Sequence, residues 1–231
     1  MKLYEQIIQF YSNLENELFN LPLGYKSINP FIGEHKNQVK KVSSLFYQKY
    51  YSARQVRRII LGSSPARRGS AVTGVPFEDA IHLQNETGIY IDNFYINKSS
   101  SDFLYEVMER YGGCGKFYND FYMSFVCPLG IVKINSDGKE VNCNYYENKK
   151  LQDSLEQFIV NSIKKQIELN IDTSICYCIG SGENYKFLLE LNKKHNFFQQ
   201  IIPLEHPRFI MQYNKHRKEE FIDKYLSALR R

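Results

Sequence analysis

Two short stretches of this sequence hold residue types from which a reaction site could be assembled. The first reads Gly62-Ser63-Ser64-Pro65-Ala66-Arg67-Arg68-Gly69-Ser70-Ala71-Val72-Thr73-Gly74-Val75-Pro76-Phe77. Glycines, serines and arginines in one loop can bring backbone N–H groups, hydroxyls and guanidinium groups to an anion, while the prolines restrict the loop's shape. The spacing and the lysine of an ATP-binding loop are missing, and so is a dinucleotide fingerprint. The second stretch reads Pro203-Leu204-Glu205-His206-Pro207-Arg208-Phe209, in which a histidine leaves a predicted strand beside a turn-fixing proline and a phosphate-seeking arginine. A histidine at such a place serves either as a structural hydrogen-bonder or as a donor in catalysis, and both readings stand for His206. His35, His82, His195 and His216 lie in polar or amphipathic surroundings where solvation or capping suffices. No pair of carboxylates stands out for acid–base work. Cys114, Cys127, Cys143, Cys176 and Cys178 are odd in number and sit in or beside apolar runs, as buried free thiols do. Cys176 and Cys178 form only a C-x-C pair, so neither a metal nor any other cofactor is expected.

The elements around these stretches follow from periodicity. Leu3, Ile7, Phe10, Leu14 and Leu18 mark an amphipathic helix over residues 3–20, closed by Leu21-Pro22-Leu23-Gly24, and a second helix is expected over 36–53. Arg57-Arg58-Ile59-Ile60-Leu61-Gly62 reads as a buried strand entering the first loop. Further apolar runs at 121–129, 174–179 and 198–204 each end in a turn-prone or polar segment, and helical patterns at 101–111, 151–169 and 184–194 lie between them. Strands alternating with helices predict a three-layer α/β/α sandwich around a central four-stranded parallel sheet. Ligands of such sheets bind beyond the carboxyl ends of the strands, where these loops converge. With 231 residues, 43% of them hydrophobic, the chain can bury one substantial core, so a single domain over 1–231 is expected, with 1–55 as a helical N-terminal flank. No stretch is long and apolar enough for a membrane span or a signal peptide, which predicts a cytoplasmic protein without a membrane partner.

The net charge of +5 is unevenly spread. No acidic residue lies between Glu34 and Glu78, whereas Lys36, Lys40, Lys41, Lys49, Arg54, Arg57, Arg58, Arg67 and Arg68 all do. This is either a solvated helix face or an electrostatic footprint for phosphates, and nucleic acid is the favoured reading. Tyr47, Tyr50 and Tyr51, interleaved with these charges, are expected to offer stacking surfaces.

Several spaced blocks then carry a resemblance. The loop 62–77 is followed by Tyr111-Gly112-Gly113, Phe117-Tyr118, Cys127-Pro128-Leu129, Asn142-Cys143-Asn144-Tyr145-Tyr146, Gly180-Ser181-Gly182 and His206-Pro207-Arg208-Phe209-Ile210-Met211-Gln212-Tyr213. In this order they resemble the single-strand-selective monofunctional uracil-DNA glycosylases (SMUG type), and most closely their second, bacterial branch. The resemblance implies a monomeric enzyme of base-excision repair that acts on DNA containing deaminated bases, flips the base out of the stack and hydrolyses its N-glycosidic bond. It implies that His206, as a neutral imidazole, donates to the leaving base's carbonyl oxygen, and that the base stacks on Phe77, which could otherwise be a core phenylalanine. Gly62, Pro65 and Gly69 would shape a loop that pinches phosphates, with Arg67 and Arg68 beside them, while Pro207 and Arg208 would follow the lesion strand or fill the gap left by the base.

Departures from the family pattern matter equally. Ser64 replaces the asparagine that positions the attacking water, and Ala66 replaces the following glycine. A hydroxyl still holds a water but makes fewer simultaneous bonds than an amide. Phe125 stands where vertebrate-type members read the base with an asparagine; Ser124 beside it, Asn142 or Asn144 could read the base instead. The competing reading is therefore a lesion- or DNA-binding module with weakened hydrolysis, and a third is an unrelated nucleotide-binding α/β protein. The absence of lysine from these loops argues against Schiff-base lyase chemistry, which needs an amine.

Overall fold

The structure, a computed structural model, describes all residues except 15–19, 68 and 91–97 and the side chains of residues 98 and 99. In chain order the elements are α1 (Leu3–Asn13), β1 (Tyr25–Ile28), α2 (Lys36–Tyr50), β2 (Arg57–Gly62), α3 (Ser70–Thr73), α4 (Ala80–Thr87), α5 (Lys98–Tyr111), α6 (Cys114–Asp120) and β3 (Phe121–Phe125). They continue with β4 (Gly130–Ile134), β5 (Glu140–Cys143), α7 (Lys149–Ile167), β6 (Ile171–Ile179), α8 (Glu183–His195), β7 (Gln200–Leu204), α9 (Pro207–Tyr213) and α10 (Lys218–Leu229).

The expected parallel sheet is present in the order β3-β2-β6-β7, with helices flanking it. Strand β2 pairs on both sides, which is why Ile59, Ile60 and Leu61 form an unbroken buried run rather than an alternating one. Between strands, each helix turns an apolar stripe inward. In α7, Leu151, Leu155, Ile159 and Ile163 are buried at helical spacing, and the Asn148 side chain caps the helix by accepting from the Leu151 N–H at 3.0 Å. No described helix is long and apolar enough to cross a membrane.

A second sheet was not anticipated. Strands β1, β4 and β5 form a three-stranded antiparallel sheet, so the N-terminal flank is not purely helical. The described first helix ends at Asn13, and most of the rest of the expected 3–20 helix lies outside the described residues.

The basic stretch also divides. Arg57 is 1% exposed, and its guanidinium donates to the carbonyls of Tyr118 at 2.8 Å, Ala53 and Gln55 at 3.3 Å and Tyr50 at 3.4 Å. Arg58 donates to the Tyr177 hydroxyl at 2.9 Å and the Leu229 carbonyl at 3.0 Å. Both stand at the start of β2, about five residues or roughly 16 Å from its carboxyl end, and they tie chain segments together. Tyr47 and Tyr51 are buried at 1% exposure and half-buried Tyr50 packs its ring on Tyr118, so two of these rings are core, the third is held against it, and the expected row of stacking surfaces is not formed, because α2 turns this face toward α1 and α6.

Candidate active site

The carboxyl ends of β2, β3, β6 and β7 are Gly62, Phe125, Ile179 and Leu204; the segments that follow β2 and β7 and the last residue of β3 meet at one cavity as expected, whereas Gly180-Ser181-Gly182 after β6 does not line it. The β2–β3 ladder continues beyond the strands: Val126 N–H donates to the Gly62 carbonyl at 2.8 Å and Cys127 N–H to the Ser63 carbonyl at 2.9 Å. This holds the first residues of the 62–77 loop in register. A cavity of about 370 Å³ opens at this edge, lined among others by Ser63, Ser64, Gly69, Phe77, Phe125, Asn142, Asn144, Tyr146, His206 and Arg208.

His206 sits at its wall as the N-cap of α9. Pro207, at the first helical position, has no N–H, so the first free donor is that of Arg208, and His206 Nδ1 accepts from it at 3.0 Å. The remaining proton of the neutral ring is therefore on Nε2. Burial first, and then the Arg208 charge, push the imidazole down to about 4, so the ring is neutral at physiological pH. The site thus presents an uncharged N–H donor on a short, stiff element.

Phe77 is half-buried with φ of 62°, a left-handed conformation uncommon for a residue with a side chain. Its N–H donates to the Ser70 hydroxyl at 2.9 Å, and its ring stacks on Phe125 with centroids 5.2 Å apart. Gly62 allows this approach, since a Cβ there would lie 2.5 Å from Phe77 Cζ.

Asn144 is half-buried and its Oδ1 accepts from the Ser63 hydroxyl at 3.4 Å, which leaves the amide N–H₂ as the free end. Asn142 is exposed, with Oδ1 taken by the Arg67 N–H at 2.9 Å. Ser124 does not join them. It is fully buried with its hydroxyl 3.0 Å from that of Tyr11, because side chains alternate along β3 and it is Phe125 that faces the cavity. Ser64 and Gly69 line the cavity, Pro65 is buried behind them, Arg67 is half-buried, and Arg68 lies outside the described residues.

The sequence reading missed Ser63, Tyr146, Glu78 and Asp79, which also line the cavity. It also missed Phe209 and Tyr213, which stand on α9 at 48% and 67% exposure, four residues apart beside Arg208 at the cavity. Their helical spacing directly after His206 was the available signal. His82, expected to be solvated or capping, instead places Nδ1 2.8 Å from Asp79 Oδ2 and stacks on Tyr105.

This geometry agrees with what comparison finds. The family model of the uracil DNA glycosylase superfamily matches residues 48–230. The chain therefore belongs to the uracil DNA glycosylase superfamily, a class of DNA glycosylases. Among solved structures, wild-type Pedobacter heparinus SMUG2 superposes with a TM-score of 0.94 at 43% identity, over 100% of this chain and 97% of that one. Within the superfamily the chain is of the SMUG type. No curated protein matches it.

Proposed function

We propose that this chain, acting as one domain over residues 1–231 and as a monomer, hydrolyses the N-glycosidic bond of uracil or another deaminated base flipped out of DNA. The observation that carries the reading is the neutral His206, its proton directed to Nε2 by the Arg208 N–H, on the wall of a cavity that also holds an exposed aromatic face. Cleavage builds negative charge on the departing base and positive charge on the sugar. A preorganised neutral donor near the base oxygen stabilises that charge with an N–H dipole already in place when the charge develops.

Phe77 serves as the surface on which the base stacks, with Gly62 giving it room. Asn144, its amide N–H₂ free because Ser63 holds the oxygen, reads a carbonyl of the base and so favours keto over amino bases; Asn142, tied to Arg67, shapes the loop. Ser64 holds the attacking water, at a lower rate than an amide would support. Arg67 and Gly69, backed by the buried Pro65, approach phosphates, with Arg68 as a further phosphate-seeking charge of the same loop, while Pro207 orients α9 and Arg208, Phe209 and Tyr213 meet the strand and the gap left by the base. Among the described residues no lysine lines the cavity, in keeping with monofunctional hydrolysis.

The test is strand cleavage after alkali treatment on oligonucleotides carrying uracil, hypoxanthine or xanthine. Abasic product that is lost by about 10²–10³-fold in His206→Ala is expected, with a higher rate in Ser64→Asn. Lesion binding without product from the parent would refute hydrolysis.

A further inference from the structure

Helix α9 carries an exposed stripe that continues beyond the cavity. Arg208, Phe209, Gln212 and Tyr213 recur at helical spacing and all line the cavity, so its mouth follows α9 from the first turn to the last. The Phe209 and Tyr213 rings lie side by side there, with centroids 6.2 Å apart. Asn214 ends the helix, and a single 3₁₀ turn, Lys215–Arg217, follows with all three residues exposed.

The charges at this end of the molecule are not equivalent. Arg217 pairs with Glu220 at 2.8 Å, Lys218 with Glu106 at 2.7 Å and Arg110 with Glu219 at 2.7 Å, so Glu219 and Glu220 in the first turn of α10 are neutralised by their own partners. His216 also lies toward Glu220. Two cations are left over. Arg208 forms no ion pair and donates only to the neutral Gln212 side-chain oxygen at 3.3 Å, and Lys215 makes neither an ion pair nor a hydrogen bond among the described residues. A single exposed lysine is ordinarily a solvated charge. Lys215, however, extends a row of one free arginine and two exposed rings leading out of the cavity, and cations interleaved with aromatic rings are what a protein uses to follow a nucleic-acid strand.

We propose that the lesion strand leaves the cavity along α9 and that Lys215 holds one of its phosphates, so that the site requires DNA to extend past the lesion on that side. The proposal rests on reading the cavity as the pocket for a base in DNA. Seven positions separate Arg208 from Lys215, about 10 Å at the helical rise of about 1.5 Å per residue. A stacked strand advances about 3.4 Å per nucleotide, which puts the phosphate at Lys215 roughly three nucleotides from the one that Arg208 meets. Lysine acts here as a point charge, and its contribution is the release of counterions from the strand. Each phosphate so neutralised steepens the fall of log affinity with log salt by about 0.7 on a single strand and about 0.9 on a duplex.

The experiment measures binding of the full chain by fluorescence anisotropy between about 50 and about 200 mM salt. The probe is a labelled oligonucleotide carrying 2′-fluorodeoxyuridine, whose glycosidic bond resists cleavage. Lys215→Gln should flatten the salt slope by about 0.7–0.9, so that the parent's advantage shrinks about threefold over this range. Lys193→Gln removes the same charge from α8, where the lysine is paired with Glu190 and does not line the cavity, and should leave the slope at the parent's value. Probes trimmed to about one nucleotide beyond the lesion, on one side at a time, locate the contact relative to the roughly three-nucleotide reach. Trimming one of the two sides should flatten the parent's slope as Lys215→Gln does and change the slope of Lys215→Gln no further. An unchanged slope in Lys215→Gln, equal flattening in Lys193→Gln, or equal effects of trimming on parent and Lys215→Gln overturns the proposal. If the parent excises uracil while Lys215→Gln keeps the parent's slope, the proposed function stands and this contact falls. If the slope depends on Lys215 but the parent excises no base, the contact stands and hydrolysis falls.

Discussion

Replacing Gly62 with alanine should displace the Phe77 ring and slow excision while leaving the fold standing. The added Cβ would lie 2.5 Å from Phe77 Cζ, 3.0 Å from Phe125 Cδ1 and 3.1 Å from Phe125 Cε1. Ordinary carbon contact begins near 3.4 Å, so the tip of the Phe77 ring must retreat by about 0.9 Å. Phe125 cannot absorb the displacement, being 4% exposed on a strand paired residue for residue with β2. Phe77 can, because it lines the cavity and is half-buried. Overpacking a well-filled position costs about 1–3 kcal/mol, and the open side keeps this substitution toward the lower end. A reacting group misplaced by about 1 Å, by contrast, loses on the order of 10²-fold in rate. Single-turnover excision measured beside a thermal melt separates the two costs. A Gly62→Ala protein that melts within a few degrees of the parent and excises at the parent's rate would refute the assignment of Phe77 as the surface on which the base stacks.

Two further outcomes follow from the same geometry. Ser124→Ala should leave excision within about twofold and cost about 1 kcal/mol of stability, read by denaturant unfolding, since it removes one buried hydroxyl pair with Tyr11; a large loss of rate at unchanged stability would return Ser124 to the site. Asn144→Ala should reduce excision of uracil by roughly 10-fold or more, the cost of one lost hydrogen bond to a charge-bearing base oxygen, and should narrow the margin between uracil and cytosine in a competition assay. An unchanged margin would move base reading to another residue.

Which parts of this architecture were visible in the sequence depends on how local their causes are. Strands β2 and β6 are buried on both faces at their carboxyl ends, so Ile59-Ile60-Leu61 and Cys176-Tyr177-Cys178-Ile179 read as continuous runs, and the amphipathic helices between them follow from spacing alone. The small antiparallel sheet was not legible: β1 and β5 are four residues each and mostly exposed or half-exposed, so only their pairing with β4 defines them. Ser124 shows a finer limit. Alternation requires one of Ser124 and Phe125 to turn from the cavity, but both neighbours are apolar and nothing nearby says which. The tyrosines of α2 were misjudged because their neighbouring lysines describe the other face of the same helix. Glu78 was unreadable for a different reason, since Tyr105 and Tyr118, whose hydroxyls hold its carboxyl, lie 27 and 40 residues away in the chain.

The arginines show why placement outweighs composition at this site. Arg57 and Arg58 begin the strand whose far end opens into the cavity, and their guanidinium groups are consumed by carbonyls and a tyrosine hydroxyl. Arg208, in contrast, is exposed at the cavity, and it shapes the chemistry twice: its backbone N–H fixes the His206 tautomer and its positive charge helps keep that ring neutral. Under the proposed reaction the neutral His206 would meet the new negative charge on the base with an aligned N–H dipole, while the Asp79 carboxylate that also lines the cavity is held by the His82 ring and the Ser101 hydroxyl. Under that reaction the departure of the base, rather than the strength of the nucleophile, would carry most of the barrier, so that Ser64 would suffice as a weak holder of the water.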